Sequence, residues 1–175
     1  MLRDRRSPWR HLWLGLLLLA ILTAAQGTGR LRFGSARVTP DLVLCAVIAW
    51  GFLTDSGQGA SWGFIGGLML DSVSTVPFPL HTVALTLVGI AVGSGRLSMY
   101  ADEVIWAFAA AGLGCTVFYG VMWIGLSFQG WDPPLLSTIR RVILPAVVLD
   151  LVGVLVMLPV LRLASRRLTG PKMVV

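Results

Sequence analysis

The segment Gly59-Ala60-Ser61-Trp62-Gly63-Phe64-Ile65-Gly66-Gly67-Leu68-Met69-Leu70-Asp71 is apolar, has glycine at every fourth position, and ends in a carboxylate. Four residues turn an α-helix by about 400°, so Gly59, Gly63, Gly67 and Asp71 form one slowly drifting stripe. Glycine on such a stripe lets another backbone approach closely, as in small-xxx-small packing between membrane helices. Two readings are open: a site for a partner helix or inner seam, or packing inside the protein's own bundle. Gly89 and Gly93 repeat the spacing downstream and are candidates for an internal mate.

The flanking sequence is of the same kind. Of 175 residues, 56% are hydrophobic and 13% charged, and mean hydropathy is +0.83. A soluble domain carries roughly 25% charged residues. The composition therefore excludes a disordered tail, a collagen-like repeat and an ordinary cytosolic enzyme, and points to a polytopic membrane protein. At roughly 20 apolar residues per span, six crossings use most of the chain, giving one integral membrane domain over residues 1–175. The expected fold is all-α, a six-transmembrane-helix bundle with helices at about 11–26, 41–54, 60–76, 80–95, 104–128 and 142–162. The first run follows Arg3, Arg5, Arg6 and Arg10 and is read as a retained helix, the alternative being a signal peptide. The second, Leu42–Leu53, follows Pro40 and Asp41, ordinary helix-start chemistry. It is short, so it either begins in the interface or is buried by its neighbours.

Lys and Arg set the orientation. Nine lie at the two termini and in the Arg96 loop, and five (Arg30, Arg32, Arg37, Arg140 and Arg141) lie on the other side. That asymmetry predicts both termini in the cytoplasm. The same distribution explains the net charge of +6 without nucleic acid. The Arg-rich ends orient the chain or meet anionic lipid. Trp9, Trp13, Trp62, Trp106, Trp123 and Trp131 fall near span ends, as an interfacial belt does. Cys45 and Cys115 lie in apolar runs and read as small buried residues.

Asp71 and Asp150 lie inside apolar runs, where a carboxylate costs several kcal/mol unless paired, protonated or hydrated. Three readings are open: a polar cluster with His81, Arg140 and Arg141 that binds a ligand or proton, a structural pair, or, for Asp71, a cap near the Pro77–Pro79 turn. If Asp71 only anchors packing, Asp71→Asn is expected to be mild. The two histidines, His11 and His81, come with no HExxH, GxSxG, P-loop or metal-spaced Cys/His set. Ser72 and Ser74 are the nearest serines to His81, without a nucleophile motif. No catalytic residue, cofactor or metal is expected.

Pro40-Asp41-Leu42, then Gly63-Phe64-Ile65-Gly66-Gly67-Leu68-Met69-Leu70-Asp71, then the Pro79–Gly93 helix resemble the rod shape-determining protein MreD family. The specific part covers about residues 40–95, and the rest agrees in hydropathy. Phe78-Pro79-Leu80 stands where many members carry a Gly-containing turn. The resemblance implies a non-enzymatic component of the bacterial elongation machinery (the elongasome) in the cytoplasmic (inner) membrane, serving cell shape and peptidoglycan synthesis. It implies association with an MreC-like single-pass protein, and through it with the MreB filament and the RodA/class B penicillin-binding protein synthase. It implies an architecture similar to the S components of ECF vitamin transporters. The motif carries over to Pro40, Asp41, Gly63, Phe64, Gly67, Leu68 and Asp71. Trp131, beside Asp132, Pro133 and Pro134, offers a rigid aromatic edge to a periplasmic domain.

A rival reading is the substrate-binding subunit of an ECF-type small-molecule transporter. Ala20 and Ala24 would meet its coupling subunit, and Asp71, Asp150 and Arg140 would line the ligand site. An intramembrane enzyme is the third reading.

Overall fold

A computed structural model describes residues 9–28, 40–95, 103–130 and 134–168. All regular structure among them is helical. Helices α1 (Trp9–Gly27), α2 (Leu42–Leu53), α3 (Ser56–Val73), α4 (Leu80–Ser94) and α5 (Glu103–Phe128) come first. The last helical path joins α6 (Leu135–Thr138), a π-helical turn over Ile139–Ile143, and α7 (Leu144–Leu168). Two stretches, Ile105–Phe128 and Leu136–Leu163, are long and apolar enough to cross a membrane, and Gly15–Gly27, Leu42–Leu53 and Leu80–Ser94 are shorter apolar helices.

The chain is built around α2. Val43, Leu44, Cys45, Ala46, Val47, Ile48 and Ala49 are all fully buried. A helix that is apolar on every side belongs in an interior, and α2 contacts α1, α3, α4, α5 and α7. Its shortness is therefore resolved by neighbours that enclose it. Gly114 on α5 packs on the Ile48 side chain and Gly153 on α7 packs on Cys45 Sγ. Lipid tails are as apolar as leucine, so such contacts hold by close packing more than by water exclusion.

The tightest pair is the antiparallel α3–α4 hairpin. A Cβ on Gly63 would strike the Leu85 carbonyl, and one on Gly67 would strike Thr82 Cα. Gly59 meets the Gly89 carbonyl, and Gly93 meets Ser56. Between the two readings of the stripe, the geometry is internal packing of α3 on α4. On another face of α3, Gly66 lies against Val43 of α2 and Leu19 of α1. Trp62 stacks on Trp50 at 4.4 Å and 14°, with Gly15 of α1 beside its ring.

Two helices have boundaries that differ from the expected ones. The third helix begins at Ser56, not near residue 60, because Asp55 caps it by accepting from Gln58 N at 2.9 Å. It ends at Val73, before the threonine-valine-proline stretch. The last helical path begins at Leu135 instead of near 142. Pro145 has no N–H for the Arg141 carbonyl, and a proline inside a regular helix clashes with that carbonyl. The π turn just ahead of it, in which Leu144 N–H bonds the Ile139 carbonyl, keeps the path helical by widening it.

Candidate functional site

The polar residues of the core gather at one end of the bundle, where α2 and α4 begin and α3 ends; this is called the acidic end below. The first four N–H groups of any helix lack partners within it, and in an apolar surrounding they need one. Pro79 precedes α4 and supplies no side-chain cap. Asp71, near the end of α3, supplies it instead. Its Oδ1 accepts from His81 N at 3.0 Å and its Oδ2 from Thr82 N at 3.0 Å. The Thr82 hydroxyl adds a 2.6 Å bond to Oδ2, and the His81 ring Nδ1 lies 2.9 Å from Oδ1. Four hydrogen bonds thus saturate one buried carboxylate, and its charge faces the positive end of the α4 dipole. An ionised carboxylate only accepts, so the His81 proton belongs on Nδ1. The turn between the helices contains a cis Phe78–Pro79 bond.

A second carboxylate does the same for α2. Asp41 is the N-cap, accepting from Leu44 N at 2.9 Å. The Asp41 amide donates to Asp150 Oδ1 of α7 at 2.8 Å. A capping box does this with a glutamate three residues on, and here a residue of another helix fills that role. Tyr119 of α5 donates its hydroxyl to Asp150 Oδ2 at 2.7 Å, and Cys45 Sγ donates to the Asp150 carbonyl at 3.4 Å. Asp150 is fully buried. One carboxylate therefore ties α2, α5 and α7 together.

The two networks are neighbours. Phe118 lies 6.3 Å from the His81 ring and 5.3 Å, edge on, from Tyr119.

The other sequence candidates fall elsewhere. Gly59, Gly63 and Gly67 are taken up against α4. Phe64 and Leu68 point away from the core, 52% and 42% exposed. Pro40 directly precedes the Asp41 cap. Trp131 lies outside the described residues, as do Arg30, Arg32, Arg37, Arg96 and the terminal Arg3, Arg5, Arg6 and Lys172. Arg140 and Arg141 are exposed on the π turn. Arg140 precedes Asp150 by about 15 Å of helix at 1.5 Å per residue, so it does not join the carboxylates.

Neither serine is poised against His81. Ser72 Oγ donates to the Leu68 carbonyl, and Ser74 Oγ accepts from Val76 N. Among the described residues, no group of His, Cys, Asp and Glu is placed to hold a metal ion. Sequence reasoning missed Thr82 and Tyr119. A tyrosine inside a long apolar run was the available signal, since a buried phenol seeks a hydrogen-bond partner.

These features define a helical protein with membrane-length apolar helices, whose buried Asp71 and Asp150 join helices to one another. A family model described as rod shape-determining protein MreD matches residues 10–168, and the chain belongs to that family. Membership makes it a bacterial membrane protein of the rod shape-determining machinery. No curated protein and no solved structure matches it significantly.

Proposed function

We propose that this chain is a non-enzymatic scaffold of the cell-wall elongation machinery. It crosses the inner membrane six times, with both termini in the cytoplasm and the acidic end toward the periplasm. It binds an MreC-like single-pass protein, and through it the MreB filament and the RodA/class B penicillin-binding protein synthase.

The observation that carries this reading is that the buried Asp71 and Asp150 carboxylates both bind helix-start amides. Asp71 and Asp150 spend their acceptors on helix starts and on neighbouring side chains. Such groups hold helices in register. Because the glycine stripe is used internally, a partner helix has to dock elsewhere. The outer face of the α3–α4 hairpin, with Phe64, Leu68, Val83, Leu87 and Ile90 exposed, is the surface assigned to it. Among the described residues that hairpin is the most closely packed helix pair, so it presents a rigid face.

The test is affinity purification of the tagged protein from its native membrane in mild detergent, with mass spectrometry of proteins and small molecules. Recovery of an MreC-like protein with synthase components supports the scaffold. Recovery of an ATPase-coupled membrane subunit, or of a bound vitamin, would replace it with the ECF-type transporter reading.

A further inference from the structure

Two helices reach well past the carboxylate layer at the acidic end. α5 runs from Tyr119, which touches Asp150, on to Phe128. The last helical path starts at Leu135, far ahead of Asp150. In contrast, α2 and α4 begin at that layer and α3 ends just beyond it. Toward the opposite end, α3 extends from Asp71 back to Ser56, about 22 Å at 1.5 Å per residue. A hydrocarbon core of about 30 Å that starts there ends roughly 8 Å beyond the carboxylates. Arg141 lies about 13 Å beyond Asp150 by the same rise, which is the level of lipid head groups.

What stands at that level is cationic and apolar at once. Arg140 and Arg141 are exposed, and no ion-pair partner for either is found among the described residues. Leu136 is 78% exposed and Val142 51%. At the same height on α5, Ser127 Oγ is buried without a hydrogen-bond partner, and Phe128 is 87% exposed. Positive side chains on this side work against the charge asymmetry that orients the chain, so orientation does not account for them. Guanidinium groups beside apolar surface match a phosphate attached to acyl chains.

We propose that Arg140 and Arg141, with the exposed face of Leu136 one turn ahead of Arg140, form a binding site for an anionic phospholipid in the leaflet at the acidic end. The site rests on the membrane-spanning reading above, which alkaline carbonate extraction of the membranes tests separately. The protein is purified in mild detergent and titrated with phosphatidylglycerol or phosphatidylcholine, and retained lipid is read by intact-protein mass spectrometry. Wild type retains phosphatidylglycerol preferentially. The double exchange R140Q/R141Q weakens that retention by roughly tenfold or more, at about 1 kcal/mol per basic residue, while R140K/R141K, which keeps both charges but not the planar forks, loses less. Both positions are exposed, so melting in lipid-free detergent stays at the wild-type value. Should the double variant melt early, R140Q and R141Q are measured singly, each losing several-fold. Glycerol 3-phosphate, which lacks acyl chains, does not compete. Wild-type retention in R140Q/R141Q, loss only in R166Q/R167Q at the other end, or full competition by glycerol 3-phosphate would each overturn the site.

Discussion

The carboxylate of Asp150 on α7 accepts the backbone amide of Asp41 at 2.8 Å, across 109 residues of sequence. The start of the central helix is thus held by the last helix. Tyr119 closes the arrangement from α5. Asp150→Ala leaves the Asp41 amide and the Tyr119 hydroxyl without an acceptor in an apolar interior, a loss of about 2–5 kcal/mol. Thermal melting in detergent should show a large drop. Tyr119→Phe removes one interhelical bond, worth about 1 kcal/mol in membrane proteins. Because both changes act on one network, their effects should be non-additive in a double-mutant cycle. Additive losses would mean that the two side chains do not work together.

Asp71 makes a sharper case. Two donors face each of its oxygens, so Asp71→Asn sets an NH₂ group against the backbone N–H of either His81 or Thr82. The mild effect expected from sequence for a packing anchor gives way to a loss of about 1–3 kcal/mol. Asp71→Leu, which strips all four bonds and the charge at the start of α4, should cost more. Equal melting temperatures for Asp71→Asn and wild type would contradict the cap.

The amount of this that was readable in the sequence depends on distance along the chain. The apolar runs, the glycine spacing and the Asp41 start signal are local, and they place the helices. Sequence leaves open which helix meets the Gly59–Gly67 stripe, because glycine fits an internal and an external partner equally well. Gly89 and Gly93 were visible as one solution. Asp150 could be recognised as a costly buried charge, but not as a cap for α2, since nothing near residue 150 encodes a neighbour near residue 41. The charge count predicts Arg140 on the same side of the membrane as Asp71 and Asp150, and that alone groups it with the carboxylates. On a helix its separation from Asp150 in sequence is length, and it carries Arg140 away from them.

Gly63→Ala and Gly67→Ala should each force α3 from α4, because the added methyl would meet the backbone of Leu85 or Thr82. Backbone cannot step aside as a side chain does, so losses of several kcal/mol are expected, at the upper end of overpacking effects. Gly112→Ala, where a Cβ meets open space, is the matched control and should melt as wild type. Equal melting of all three would remove the tight hairpin from the account.

Cys45 and Cys115 are free and fully buried. Neither should react with a bulky maleimide in the folded protein in mild detergent, and both should react after denaturation in sodium dodecyl sulfate. Rapid labelling of the folded protein would show that α2 is not enclosed.

The most direct test of the scaffold reading combines partner recovery with stability. Phe64→Ala/Leu68→Ala alters an exposed face and leaves the core alone, so it should melt as wild type yet lose most of the MreC-like protein from an affinity purification. Wild-type recovery of that partner, or its absence from the unaltered protein's purification, would contradict the account.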